Sequence, residues 1–252
     1  MFTAFQIVSV VLITAMVEPP SPPKAPKAEF VQIFDGSSLV GWKGDLRFWS
    51  IENGCIVGRS TAENPCKVTT YLHHDAVLDD FELTFDIKLE GEGANSGMQY
   101  RSTRWPTPGD GFDLSGYQAD FDQAHRYSGI LYETYGRGIA VERGQAIRFH
   151  EDRSKREIEP ARPDAELKAV LDGVDADPRS KGWHAYRIVA DGHRLEHWID
   201  GERVMLAVDH DPRFAKEGIL ALQIHSGPPM TVRVRNLRVR DLTPATSPPP
   251  GK

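Results

Sequence analysis

Phe81-Glu82-Leu83-Thr84-Phe85-Asp86-Ile87-Lys88-Leu89-Glu90 alternates without a break, five apolar residues at the odd positions and five polar ones at the even positions. Side chains of a strand alternate faces, so the run reads as an antiparallel strand with one face on a core and the other in water. Similar short runs recur on both sides of it. Upstream, Phe48 to Glu52 and Cys55 to Val57 flank Asn53-Gly54, a two-residue hairpin signal. Val31 to Phe34 opens the domain, and Thr69 to Leu72 forms a short approach strand. Downstream come Asn95 to Arg101, Tyr117 to Asp122, Gly129 to Glu133, Ile139 to Val141, Trp183 to Ala190 and Arg194 to Ile199. Arg203 to Val208, Gly218 to His225 and Thr231 to Leu242 complete the set. Only the charged connection 150–182 differs: Leu167, Val170 and Leu171 share a face there and predict one short helix. About a dozen strands at this turn-punctuated spacing predict an all-β fold, a two-sheet antiparallel β-sandwich or jelly roll.

Composition narrows the partners. A net charge of -6 argues against nucleic acid, because phosphate backbones select basic surfaces. Residues 1–18 carry an apolar run too short for a membrane span and of the length of a signal-peptide core. Export to the periplasm or exterior is therefore expected, with no stable membrane span after cleavage; a short uncleaved membrane anchor is the alternative. Residues 19–29 form a Pro-rich tether, 30–242 the folded domain and 243–252 a Pro-rich tail expected to be disordered. Cys55 and Cys66 are too few for a disulfide framework; they can pair across the loop between them, or remain a buried strand residue and an unrelated thiol. No nucleophile elbow, phosphate loop or paired-histidine zinc motif occurs.

Three of the strands carry polar groups where a core cannot use them. Gln99 and Arg101 alternate with Met98 and Tyr100, Gln118 and Asp120 with Tyr117 and Ala119, and Gln223 and His225 with Leu222 and Ile224. If those strands are neighbours, one sheet face bears a guanidinium, a carboxylate, an imidazole and amides. Such a face suits a polar ligand. Asp120, Asp122 and His225 can also hold a divalent metal ion. Structural roles compete for the same groups: Arg101 can pair with Asp120 or Glu133 across strands, and His225 can serve the turn before Gly227-Pro228-Pro229. The loop from Arg104 to Leu114 is long enough to rim a site, and Trp105 on it is the stacking candidate.

The order and spacing of several segments resemble the 3-keto-disaccharide hydrolase domain family. They are Phe34-Asp35-Gly36-Ser37-Ser38-Leu39 with Gly41-Trp42, Phe81-Glu82-Leu83, Asn95-Ser96-Gly97 with Arg101, and Gly116-Tyr117. Gly129 with Tyr132, Trp183 to Ile188, Trp198-Ile199-Asp200-Gly201, Gly218 to Gln223 with His225, and Arg235-Asn236-Leu237 continue the series. The resemblance implies a concanavalin A-like jelly roll that cleaves glycosides oxidised at C3, by elimination or hydrolysis. A 3-keto group acidifies the C2 proton, so the site needs a base, a donor for the enolate oxygen and an acid for the leaving oxygen. Carried onto this chain, Asp120 or His225 is the base and Arg101, or a bound metal, the oxyanion partner. Gln99, Gln118, Gln223, Tyr132, Glu133 and Trp105 would hold the sugar. The family commonly has Tyr-Glu at 117–118 and Gln at 120; here Gln118 and Asp120 place the carboxylate two residues on, along the same face. The alternative is a non-catalytic carbohydrate-binding module on the same fold. A conventional carboxylate-pair glycosidase fits less well, since no strand carries the paired glutamates that jelly-roll glucanases use.

Overall fold

The computed structural model describes residues 28–106 and 111–243. The expected signal peptide, nearly all of the tether and the tail beyond Thr243 lie outside the described residues. No described helix is long and apolar enough to cross a membrane.

Among the described residues seventeen strands and one helix follow one another. The first five are β1 (Val31–Gln32), β2 (Trp42–Lys43), β3 (Trp49–Glu52), β4 (Cys55–Ser60) and β5 (Thr70–Leu78). Next come β6 (Phe81–Glu90), β7 (Asn95–Arg104), β8 (Leu114–Asp122), β9 (Leu131–Thr134), β10 (Gly138–Val141), β11 (Ala146–Phe149) and β12 (Lys155–Glu159). Helix α1 (Asp164–Ala176) precedes β13 (His184–Asp191), β14 (Arg194–Ile199), β15 (Glu202–Asp209), β16 (Gly218–Ile224) and β17 (Met230–Asp241).

These strands make two sheets. The larger has the order β12-β11-β15-β14-β13-β6-β17-β4-β3, with β1 also on β17. The smaller has the order β10-β9-β8-β7-β16-β5-β2. All pairings are antiparallel except β11 with β15. The fold is the two-sheet jelly roll that the alternation predicts. On β6 the apolar face works as expected: Phe81, Leu83, Phe85 and Ile87 are buried against Met98 and Tyr100 of β7, Phe121 of β8 and Leu222 of β16 in one core. Each such side chain contributes ~1.5–3 kcal/mol of burial. The opposite face of β6 carries cross-strand ion pairs instead, Glu82 with Arg187 and Arg240, and Asp86 with Arg235.

Three elements exceed their sequence expectation. β5 continues to Leu78 through His73, His74 and Asp75 because both neighbours, β2 and β16, pair with that extension. The charged stretch after residue 150 forms β12, an edge strand on β11 whose Lys155 and Arg156 face solvent; edge strands tolerate, and use, such charges. Helix α1 runs thirteen residues through Gly173, with Asp164 and Glu166 in its first turn and Leu167 and Leu171 buried. Cys55 and Cys66 form no disulfide; each is buried, and Cys66 Sγ lies 3.1 Å from the Val68 carbonyl oxygen and 3.7 Å from that of Ile224.

Candidate functional site: a cleft on the smaller sheet

The neighbour relation that the polar face depends on holds. β7 lies between β8 and β16, with Gln99 opposite Gln118 on one side and opposite Ala221 on the other. Because Met98, Tyr117, Ala119 and Leu222 turn to the core, Gln118, Asp120 and Gln223 turn the other way. They line a cleft of about 760 Å³, together with Tyr71 from β5 and Tyr132 and Thr134 from β9. Lys67, Asn95, His225 and Tyr135 stand among its walls.

The floor is a chain of amides with the donor direction fixed at each step. Ser102 Oγ donates to Gln99 Oε1 at 2.6 Å. Gln99 Nε2 donates to Gln118 Oε1 at 3.0 Å and to Thr134 Oγ1 at 2.6 Å. Gln118 Nε2 spends both protons in turn, on Asp120 Oδ1 at 2.5 Å and on Gln223 Oε1 at 3.2 Å. Gln223 Nε2 then donates to the Tyr71 hydroxyl at 3.2 Å. Gly97 makes room for this chain, since Gln118 lies over the position its Cβ would fill. Burial without partners is costly for an amide, and here each is satisfied by the next.

Two groups in this chain keep capacity for a ligand. Asp120 Oδ1 is taken by Gln118, while no described residue donates to Oδ2. Burial, only partly offset by the Gln118 amide and reinforced by Asp122, pushes the Asp120 carboxyl up to about 7. It can therefore take or give a proton near neutral pH. The Tyr71 hydroxyl accepts from Gln223 and is pushed up to about 12 by burial, so it stays a proton donor. His225 is exposed, at the rim of the cleft. Its Nδ1 lies 2.6 Å from the Ser226 carbonyl, which can only accept, so Nδ1 is the donor there.

Of the other sequence candidates, Tyr132 lines the cleft and Gln99 lies fully buried in the layer beneath it. Arg101 is corrected. A register shift between Tyr100 and Thr103, with φ at 46° on Arg101, breaks the alternation and carries its side chain off the cleft face. The guanidinium is fully buried and donates to the Asp79 and Gly192 carbonyls and to Asp80 Oδ1, at 2.8–2.9 Å. It is a structural cation, paired with Asp80 rather than with Asp120 or Glu133. Glu133 is corrected as well. It alternates with Tyr132 and turns inward, where it binds Arg137; that guanidinium also binds Asp209, which accepts from the Tyr117 hydroxyl. Trp105 stacks on Tyr135 with ring centroids 4.8 Å apart, and Tyr135 is the member of the pair that faces the cleft.

The expected metal set does not assemble either. Asp122 gives both carboxylate oxygens to backbone N–H groups of the following turn, Oδ2 to Arg126 and Oδ1 to Tyr127 and Ser128. Among the described residues it is another trio, His125, Asp175 and His184, that could share one ion.

Sequence reasoning passed over Lys67, Tyr71, Thr134 and Tyr135. Tyr71 sits opposite Gln223 in the β5–β16 register, a pairing across about 150 residues that local pattern does not reveal.

Comparison with known proteins agrees with this fold. No curated protein matches the chain. Among solved structures, a protein from Parabacteroides distasonis ATCC 8503, provisionally described as a glycosyl hydrolase, is 17% identical with a TM-score of 0.53 over 84% of this chain and 94% of its own. A Bacillus subtilis protein of unknown function with a galectin-like fold is 11% identical, TM-score 0.54, covering 86% and 97%. The GlcNAcα1-4Gal-releasing endo-β-galactosidase of Clostridium perfringens is 13% identical, TM-score 0.52, covering 88% of this chain and 65% of that one. At such identities the likeness is one of fold. The sequence family described as the 3-keto-alpha-glucoside-1,2-lyase-like domain matches residues 29–240, nearly the whole jelly roll with its cleft, and the chain belongs to that family.

Proposed function

We propose that the protein is a carbohydrate-active enzyme that cleaves 3-keto-glycosides in this cleft, with Asp120 as the base. The observation that carries the reading is the Asp120 carboxyl: poised at about 7, anchored through one oxygen by Gln118 and open to the cleft through the other. In the ionised form, Oδ2 takes the proton from C2 of the sugar, and the electron pair moves into the C2–C3 bond and onto the C3 oxygen. That enolate then collapses. The C3 carbonyl re-forms, a C1–C2 double bond appears, and the C1–O bond breaks. The leaving oxygen needs a proton, which the carboxyl of Asp120, now protonated, or the Tyr71 hydroxyl can return. Lys67, which lines the cleft and has no carboxylate within ion-pair distance among the described residues, is the available cation for the enolate oxygen. It takes the place first assigned to Arg101. Addition of water across the C1–C2 double bond would turn the lyase into a net hydrolase. Tyr132 and Tyr135 supply apolar wall for a sugar ring.

The test uses a 3-keto-glucoside with a chromogenic leaving group beside the unoxidised glucoside, each with and without EDTA. Release only from the keto substrate, lost in Asp120→Asn and reduced in His225→Ala, supports the reading. No release, with sugar still bound by the protein, replaces it with the carbohydrate-binding module.

A further inference from the structure

Away from the cleft, three side chains from three separate elements converge. His125 comes from the turn after β8, Asp175 from the last turn of α1 and His184 from the start of β13. The two imidazoles are buried, with ring centroids 5.1 Å apart, and Asp175 is exposed. His125 Nε2 lies 2.9 Å from Asp175 Oδ2, and His184 Nε2 lies 3.1 Å from Asp175 Oδ1.

The outer nitrogens are held as well. His184 Nδ1 donates to Asp200 Oδ2 at 2.7 Å, and the other oxygen of Asp200 is held by the Ala185 N–H. His125 Nδ1 lies 3.1 Å from Ser128 Oγ. Ser128 Oγ in turn lies 3.1 Å from the Asp122 carbonyl oxygen and 3.2 Å from its Oδ1. Both rings turn Nε2 toward the one carboxylate. A cation between the three groups would meet both imidazole nitrogens and the carboxylate at once.

We propose that His125, Asp175 and His184 bind one divalent transition-metal ion of the zinc class. Two imidazole nitrogens and a carboxylate oxygen, all within 4.8 Å of one another, are the ligand set such ions select over magnesium or calcium. Asp200 and Ser128 act as the outer partners that fix the rings, as they do around histidine-bound metals generally. The exposed side of Asp175 leaves a position for water. The ion would tie α1 to the sandwich and to the 123–130 turn, whose Tyr127 and Ile130 border the cleft. This site is independent of the chemistry proposed for Asp120.

The full chain, stripped with EDTA, is titrated with Co(II) and followed by its visible absorption, then challenged with Zn(II). One equivalent per chain with the strong bands of a four- or five-coordinate site is expected, displaced by Zn(II) and accompanied by a rise in Tm. Asp175→Asn alters an exposed side chain, leaves the fold intact and abolishes the spectrum, as does His125→Ala. Asp200→Asn weakens binding by ~10–100-fold, the usual loss for an outer partner. Asp120→Asn and His225→Ala leave it unchanged. Absence of the bands overturns the proposal in favour of a proton-held cluster, and bands that survive Asp175→Asn but vanish in the cleft variants overturn it in favour of an ion in the cleft.

Discussion

Gln118 lies across Gly97: a Cβ at position 97 would stand 3.0 Å from Gln118 Cγ and 2.8 Å from the Ala119 carbonyl oxygen. The carbonyl belongs to the β8 backbone and cannot step aside alone. Gly97→Ala should therefore destabilise the protein by ~1–3 kcal/mol, the cost of overpacking, measured by denaturant unfolding. It should also displace Gln118 from Asp120 and Gln223, so activity should fall further than the loss of folded protein explains. Unchanged activity in the folded fraction would separate Gln118 from the function of Asp120.

Asp120 should give the cleft a pH signature. The base is the ionised form, so kcat/KM should rise with pH through about 7. Stability should run the other way. The folded carboxyl is raised above its ordinary 3.8, so the stabilisation is complete below that value and is lost as pH rises toward about 7. The full difference corresponds to ~4 kcal/mol as an upper figure. Asp120→Asn removes the charge and keeps the Gln118 contact. It should thus be inactive and more heat-resistant than the wild type at pH 8, with the two Tm values converging near pH 4. A stability gap independent of pH would show that Asp120 is not buried as described.

Arg101 should behave as part of the framework. Arg101→Met removes the guanidinium from Asp80 and from the part-buried Asp79 and Gly192 carbonyls and should cost roughly 3–5 kcal/mol, read from the unfolding midpoint. The fraction that folds should retain kcat close to wild type. A stable, folded variant that has lost only kcat would restore the catalytic role its sequence position suggested.

Tyr135 and Trp105 should act as a unit. Tyr135 faces the cleft, and Trp105 braces it from behind. Either substitution by alanine should raise KM by about 2–10-fold, the ~0.5–1.5 kcal/mol of an aromatic pair, with little change in kcat. The double variant should be less than additive, because each ring works through the other.

Much of this molecule is legible in its sequence. The alternation of residues 81–90 and the turn spacing lead to the sandwich, and the polar positions of three strands lead to the face that carries the cleft. What escaped was set by backbone geometry and by distant pairing. The irregularity after Tyr100 turns Arg101 away from the face that its spacing from Gln99 assigns it. Glu133 and Tyr132 are adjacent on one strand, so alternation permits only one of them in the cleft, and Tyr132 takes that place. Asp122 lies on the face of Asp120, yet the following turn draws its carboxylate onto three backbone N–H groups. The His125–Asp175–His184 convergence joins residues from a turn, a helix end and a strand, which no local motif records.

The amide chain on the floor also fixes a stereochemical template. Gln99 and Gln118 have no amide hydrogen left to offer, so the floor cannot reverse its polarity by flipping one side chain without orphaning the next. A ligand meets a set pattern: an acceptor at Asp120 Oδ2, donors at the Tyr71 hydroxyl and the remaining Gln223 N–H. Two sugars that differ only in the handedness of one hydroxyl would present different partners to that pattern. A surface built this way reads configuration at single carbons rather than the size or hydrophobicity of what enters.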